Sequence, residues 1–164
     1  DCNILLINLE QLASAGVKII FDSNYRPALW SSKSHCQLFT NKIYAISSLA
    51  LVTFDDENDL WADNSIESCR DRLHRQGVKE LVIKDGENGC QYSVNGLIQK
   101  YTTEKVSRVV DTTAAGDSFN AGFLAYWLQA QPIRQCAEAG NKLAGQVIQK
   151  KGAIVDINTK LITG

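Results

Sequence analysis

Residues 109–127 read VVDTTAAGDSFNAGFLAYW. An apolar pair runs into Asp111-Thr112-Thr113-Ala114-Ala115-Gly116-Asp117, a dense set of turn and capping residues, and an apolar helix leaves it. A plain strand-to-helix connection needs only one capping residue. The start of a helix leaves several backbone N–H groups without intrahelical partners and carries partial positive charge. Small residues such as Ala114, Ala115 and Gly116 let a bulky anion approach those groups, which is how a helix N-terminus cradles phosphate. Asp117 then has two readings. It is either an N-cap accepting backbone N–H bonds, or a carboxylate held beside a bound phosphate and able to take a proton from an attacking hydroxyl.

Outward from this stretch, the chain alternates strand and helix. Residues 4–15 are apolar around most of a helical wheel and Gly16 offers a stop. VKIIFD (17–22), SLALVTF (48–54) and ELVIK (80–84) are short, nearly continuous apolar runs, the pattern of buried parallel strands. Between them, residues 35–46 read as a helix, the acidic stretch 55–63 as a short helix, and residues 65–76 as a helix capped by Ser65 and ended by Gly77. Residues 89–94, 96–101 and 105–110 are close-set strand candidates, with Asn95-Gly96 as a hairpin signal. The helix from Asp117 to about residue 130 breaks at Gln131-Pro132. A second helix over 134–150 repeats Cys136, Gly140, Leu143, Ala144 and Val147 on one face. A turn at Gly152-Ala153 and a short strand at Ile154-Val155 close the pattern. The expectation is an α/β sandwich with a mixed parallel and antiparallel sheet and no internal domain boundary.

Composition excludes several classes. The 164 residues are 45% hydrophobic and 21% charged, with net charge −1, so nothing electrostatic points to nucleic acid or a membrane surface. The longest apolar runs fall far below the roughly 18–20 residues that span a bilayer, and no secretory signal is visible. Five scattered cysteines, none in a C-x-x-C pair, argue against a disulfide framework or zinc site and for a reducing cytoplasm. His35 and His74 are isolated and read as surface helix residues. The absence of Met and the start at Asp1 suggest a piece of a longer protein.

DSNYRPALW (22–30) leaves the end of a strand, where open α/β sheets place ligand groups. Arg26 there either clamps a carboxylate or phosphate bidentately or covers Trp30. VIKDGENG (82–89) ends a strand in a Gly-containing turn that can lay backbone against a nucleotide. No G-x-x-x-x-G-K-[ST] run exists, which excludes a P-loop enzyme.

Asp111-Thr112-Thr113-Ala114-Ala115-Gly116-Asp117-Ser118-Phe119 strongly resembles the signature D-T-x-[GA]-A-G-D-x-F of the ribokinase-like (PfkB) carbohydrate kinases. The resemblance implies a three-layer α/β/α fold. The chain would supply the C-terminal part of a single kinase domain over 1–164, without its N-terminal half and lid. It implies Asp117 as general base, with Ala114, Ala115 and Gly116 as anion hole for the transferring phosphoryl group. Asp111, Thr113, Gly152 and Ala153 match the positions bordering a monovalent-cation site, with K⁺ as its ion. Asp111 also reads as a turn residue bonding its own backbone.

Residues 22–30 resemble the D-x-N-x-R-x-x-L-W pattern of the fructokinase and keto-deoxy sugar acid branches. In the second branch the pattern implies that Arg26 holds an acid sugar and that Asn24, Tyr25 and Arg26 border ATP. Lys84, Asp85, Gly86 and Gly89 match the nucleotide-binding segment. The family's N-x-x-E motif departs here to Phe54-Asp55-Asp56-Glu57, leaving Glu57 for the magnesium region. T-F-D-D-E and the alanine at 114 resemble the keto-deoxy acid branch. The implied ligands are ATP, Mg²⁺ and a small sugar acid, and self-association is open to the complete protein.

Overall fold

A computed structural model of the chain describes residues 2–158. Two compact units divide them, one of residues 2–85 and 91–99 and the other of residues 86–90 and 100–158.

The first unit opens with α1 (Cys2–Ser14), β1 (Ile20–Phe21) and α2 (Lys33–Ile46). It continues through β2 (Leu49–Thr53), α3 (Phe54–Trp61), α4 (Ile66–Arg75) and β3 (Glu80–Lys84), and carries most of the hairpin β4 (Cys90–Val94) and β5 (Leu97–Tyr101). The sheet order is β1-β2-β3-β4-β5. The first three strands are parallel, with Ile20 opposite Leu49 and a register running from Leu49 opposite Glu80 to Thr53 opposite Lys84. The two-residue turn Asn95-Gly96 then makes β4 and β5 antiparallel neighbours, so the sheet is mixed as expected.

Four of the five β2 residues are buried, as a parallel strand covered on both faces requires. Period-2 alternation sends Ala50 and Val52, with Leu81 and Ile83, into one core cluster with Tyr44 of α2 and Cys69 and Leu73 of α4. Phe21, Phe54 and Ile66 close around it. The α4 start is a reciprocal capping box: the Ser65 hydroxyl accepts from the Ser68 N–H, and the Ser68 hydroxyl accepts from the Ser65 N–H, both at 3.1 Å. By contrast, α1 buries only Leu6 and leaves Ile4, Leu5 and Ile7 more than half exposed.

In the second unit, α5 (Ala115–Trp127) and α6 (Ile133–Val147) touch backbone to backbone. A Cβ added to Gly122 would lie 2.6 Å from the Ala139 carbonyl oxygen, and one on Gly140 would lie 2.9 Å from that of Phe119. Only glycine permits that approach. Of the expected α6 face, Cys136, Gly140, Leu143 and Val147 are buried and Ala144 is half-buried.

Several expectations are corrected. Residues 105–110 form no strand; the N–H groups of Val110 and Asp111 both donate to the Ile148 carbonyl, so the end of α6 satisfies backbone that a ladder would otherwise pair. Ile154-Val155 is a bend and extended chain with Ile154 exposed, which leaves no buried face to drive strand pairing. The strand expected over 17–22 shrinks to Ile20–Phe21 because only those residues pair with β2. The helix expected from Asp117 begins at Ala115. His74 is half-buried rather than isolated on the surface: its Nδ1 lies 2.7 Å from the Val78 carbonyl and its Nε2 2.8 Å from the Ser93 hydroxyl, tying α4 to β4. No helix among the described residues is long and apolar enough to cross a membrane.

Candidate active site

Around α5 the N-cap is Ala114, held in the left-handed region at φ 61°, and its side chain has nothing with which to cap. Ala115 donates to the Thr112 carbonyl and Ser118 to the Ala114 carbonyl. No backbone acceptor among the described residues takes the N–H groups of Gly116 or Asp117. Asp117 therefore does not act as the cap. Its carboxylate is exposed in the first helical turn, next to those N–H groups. The helix start thus offers unsatisfied donors and partial positive charge beside a carboxylate.

Asp111 organises the turn before the helix. One of its oxygens accepts from the Thr113 N–H and the other from the Gly152 N–H, both at 2.9 Å. This joins segments 41 residues apart. A hydrogen bond from the Thr113 side chain, then the N–H groups of Thr113 and Gly152, hold the Asp111 carboxyl down to about 2. Ala153 follows Gly152 and is exposed. The folded pKa is depressed, so the tether is intact above the unfolded value of roughly 3.9 and is lost as pH falls through about 2. A carbon-detected NMR titration of this carboxyl is expected to show a midpoint near 2. A midpoint at roughly 4, the ordinary carboxylate value, would mean that these bonds do not persist in solution.

The same unit carries a groove of about 790 Å³ between residues 102–107 and the α6 face bearing Asn141, Gly145 and Gln146, with Gln149 just past the end of that helix. Gly89 is buried at φ +91°, and a Cβ there would meet the Tyr101 carbonyl oxygen at 2.0 Å. Gly86 opens the preceding 3-10 turn at φ +51°.

In the first unit, ionisable groups gather where the parallel strands end. After β1, Asp22 accepts the Asn24 N–H at 3.0 Å, an Asx turn that settles Asn24 at φ 37°. Lys84, the last residue of β3, is nearly buried and pairs with Asp22 at 2.8 Å. Tyr25 packs in a buried cluster with Cys36 and Leu60. Arg26 is half-exposed; its Nη1 donates to the Tyr25 carbonyl at 2.7 Å and to both oxygens of Asp56 at 3.2 and 3.3 Å. Burial pushes the Asp56 carboxyl up, opposed by Arg26.

Glu57 is fully buried, and protein donors bond both its oxygens. Ser23 and Tyr44 hydroxyls donate to Oε1, each at 2.6 Å, and Arg72 donates to Oε2 at 2.7 Å. Burial and the Glu57 charge raise the Tyr44 phenol, keeping it a donor. Glu57, Asp63 and Cys69 have ligand atoms within 4.8 Å of one another. Arg72 already bonds both carboxylates, and burial raises the Cys69 thiol, so this cluster is arranged as an ion network.

Residues 1–160 match the family described as pfkB family carbohydrate kinase. The chain belongs to that family. It is 44% identical over 158 residues to the 2-dehydro-3-deoxygluconokinase of Haemophilus influenzae, covering 95% of this chain and 50% of that protein. The enzyme of the same name from Escherichia coli K12 is 41% identical over 157 residues, covering 92% and 50%. Among solved structures, aminoimidazole riboside kinase from Salmonella enterica superposes with a TM-score of 0.84 at 22% identity, covering 96% of this chain and 55% of that one. That likeness extends the mixed sheet and its helices to the ribokinase-like α/β/α fold. The chain spans about half the length of the curated relatives it matches.

In this pfkB-family chain, the structure gathers the candidate residues within each unit. Ala114, Ala115, Gly116 and Asp117 lie at one helix start, with Asp111, Thr113 and Gly152 joined just before it. Asn24, Arg26, Lys84 and Glu57 belong to the strand ends of the other unit, while Asp85 leads into Gly86 where the units divide. Sequence reasoning passed over Asp22 as a partner of Lys84 and treated Asp56 as a first-turn acid only. The available signal was position: each follows a parallel strand at the end that carries Arg26.

Proposed function

We propose that this chain is the C-terminal, base-bearing part of a single ribokinase-like kinase domain. The complete enzyme would transfer the ATP γ-phosphoryl group to the C6 hydroxyl of 2-keto-3-deoxygluconate. One observation carries the reading: an exposed Asp117 carboxylate stands beside the unsatisfied Gly116 and Asp117 N–H groups of α5. In the proposed reaction Asp117 takes the hydroxyl proton as the new O–P bond forms, and ADP leaves with the electrons of the broken P–O bond. The Gly116 and Asp117 N–H groups steady the developing negative charge at no cost of reorganisation, because the helix start already fixes them. The small side chains of Ala114 and Ala115 leave room for the phosphoryl group, and the Ala115 N–H stays on the Thr112 carbonyl.

The groove lined by residues 102–107 and α6 has the size of a small-molecule site and is assigned to the nucleoside end of ATP. Gly86 and Gly89 would keep the adjoining turn close to it. Mg²⁺, when bound, would neutralise and orient the phosphates. Glu57, enclosed by three donors, is proposed to serve the magnesium region indirectly, by fixing the α3 start. Asp111, Thr113, Gly152 and Ala153 are proposed to border K⁺, a role the Asp111 bridge supports.

The Arg26 geometry favours an acid sugar over fructose. Nη1 alone is engaged, and among the described residues no acceptor is paired with Nε or Nη2. That edge is the one that binds a carboxylate bidentately. Two 2-dehydro-3-deoxygluconokinases at 44% and 41% identity support the same choice. The reaction is assigned to the cytoplasm, consistent with five free cysteines.

The test is turnover of the complete enzyme with 2-keto-3-deoxygluconate and with fructose in parallel, following ADP release. Preference for the keto acid is expected, and preference for fructose would overturn the substrate. A second reading concerns the 164-residue chain alone as a nucleotide-binding piece without catalysis. The exposed apolar face of α1 and the half-length match to relatives support it. Calorimetry with ATP is then expected to show weak binding, and a kinase assay no turnover.

A further inference from the structure

The geometry points to Asp56 as the positioning residue that aims Arg26 at the substrate carboxylate; this inference rests on the acid-sugar reading above. Arg26 is fixed from three sides. Before it, Tyr25 is anchored in the core at 5% exposure. After it, Pro27 opens a 3-10 turn and holds Arg26 extended at φ −129°, ψ 101°, as a residue preceding proline must be. At its head, one Nη1 hydrogen goes to the Tyr25 carbonyl and the other is shared by the two Asp56 oxygens. Two acceptors on one nitrogen set the plane of the guanidinium, and the opposite Nε/Nη2 edge is left for the incoming anion.

Asp56 is suited to this part by its own placement. It sits in the first turn of α3, directly after β2, with its side chain 23% exposed. The neighbouring charges, Asp22 and Lys84, pair with each other. An ordinary exposed ion pair contributes little to stability. The effect of this one falls on binding, because an oriented guanidinium loses less freedom when it takes a carboxylate.

The sign of the effect separates orientation from bulk charge. Removing an anion near an anionic substrate lowers KM if charge alone matters, and raises it if Asp56 aims Arg26. In the complete enzyme, Asp56→Asn is expected to raise KM for 2-keto-3-deoxygluconate by about tenfold, the scale of one charge-assisted hydrogen bond. The kcat value and KM for ATP are expected to stay within about twofold, and Asp56→Glu is expected to recover part of the loss. Arg26→Ala is measured alongside. If Arg26→Ala raises KM while Asp56→Asn leaves it unchanged or lowers it, the positioning role is wrong and the acid-sugar reading stands. If Arg26→Ala leaves KM unchanged, both fall.

Discussion

Asp117→Asn in the complete enzyme is expected to lower kcat by about 10²–10⁴-fold, the usual contribution of a general base. The amide keeps the size of the carboxylate but cannot accept the hydroxyl proton, so KM for sugar and ATP should move by less than about threefold. Stability should barely change. The helix cap is Ala114, and Asp117 supports the fold only through the favourable position of an acid in a first turn, worth about 0.3–1 kcal/mol when exposed. Steady-state ADP release together with a thermal melt separates the two effects. A kcat within about threefold of the parent, with the melt unchanged, would remove Asp117 from the chemistry.

The second large effect is on folding. Arg72→Ala is expected to destabilise the chain by about 3–5 kcal/mol, the cost of leaving a buried ion-pair partner uncompensated. Arg72 is the only described cation bonded to Glu57 and Asp63, which are 0% and 7% exposed. Its Nε reaches the Asp63 oxygens at 3.0 and 3.2 Å, its Nη2 reaches Glu57 at 2.7 Å, and its guanidinium lies 4.7 Å from the Trp61 ring centroid. Alanine removes all of these contacts. Urea unfolding monitored by tryptophan fluorescence would measure the loss. A midpoint equivalent to less than about 1 kcal/mol, the scale of an exposed pair, would mean that water reaches the two carboxylates. Restoring stability by adding Glu57→Gln and Asp63→Asn to Arg72→Ala would assign the loss to uncompensated charge.

The two predictions concern residues that sequence reading treats very differently. Asp117 stands inside a long local signature, so its neighbours along the chain identify it. Arg72 lies in a helix that reads as ordinary, and its partners are 9 and 15 residues away. Periodicity identifies Cys69 and Leu73 as the buried face of α4 but says nothing about a cation entering the same core from the edge of that face. The capping serine Ser65, the strand over residues 80–84 and the Asn95-Gly96 turn were legible because each is set by short-range backbone chemistry. Residues 105–110 misled because β-branched residues suit a strand, yet the chain there finds its acceptor at the end of α6.

From sequence alone came the alternation of apolar runs that makes an α/β protein, and the small-residue turn with its aspartate. Both are local: hydrophobic period and steric permission are written into consecutive residues. Tertiary structure decided the rest. Only folding brings Gly152 onto Asp111, sets Lys84 against Asp22, and turns Asp56 from a helix-start acid into the partner of Arg26. It also decided that Ala114, not Asp117, caps the helix. The left-handed backbone at Ala114 leaves the Asp117 carboxylate unused by the cap, beside donors that no described backbone acceptor satisfies.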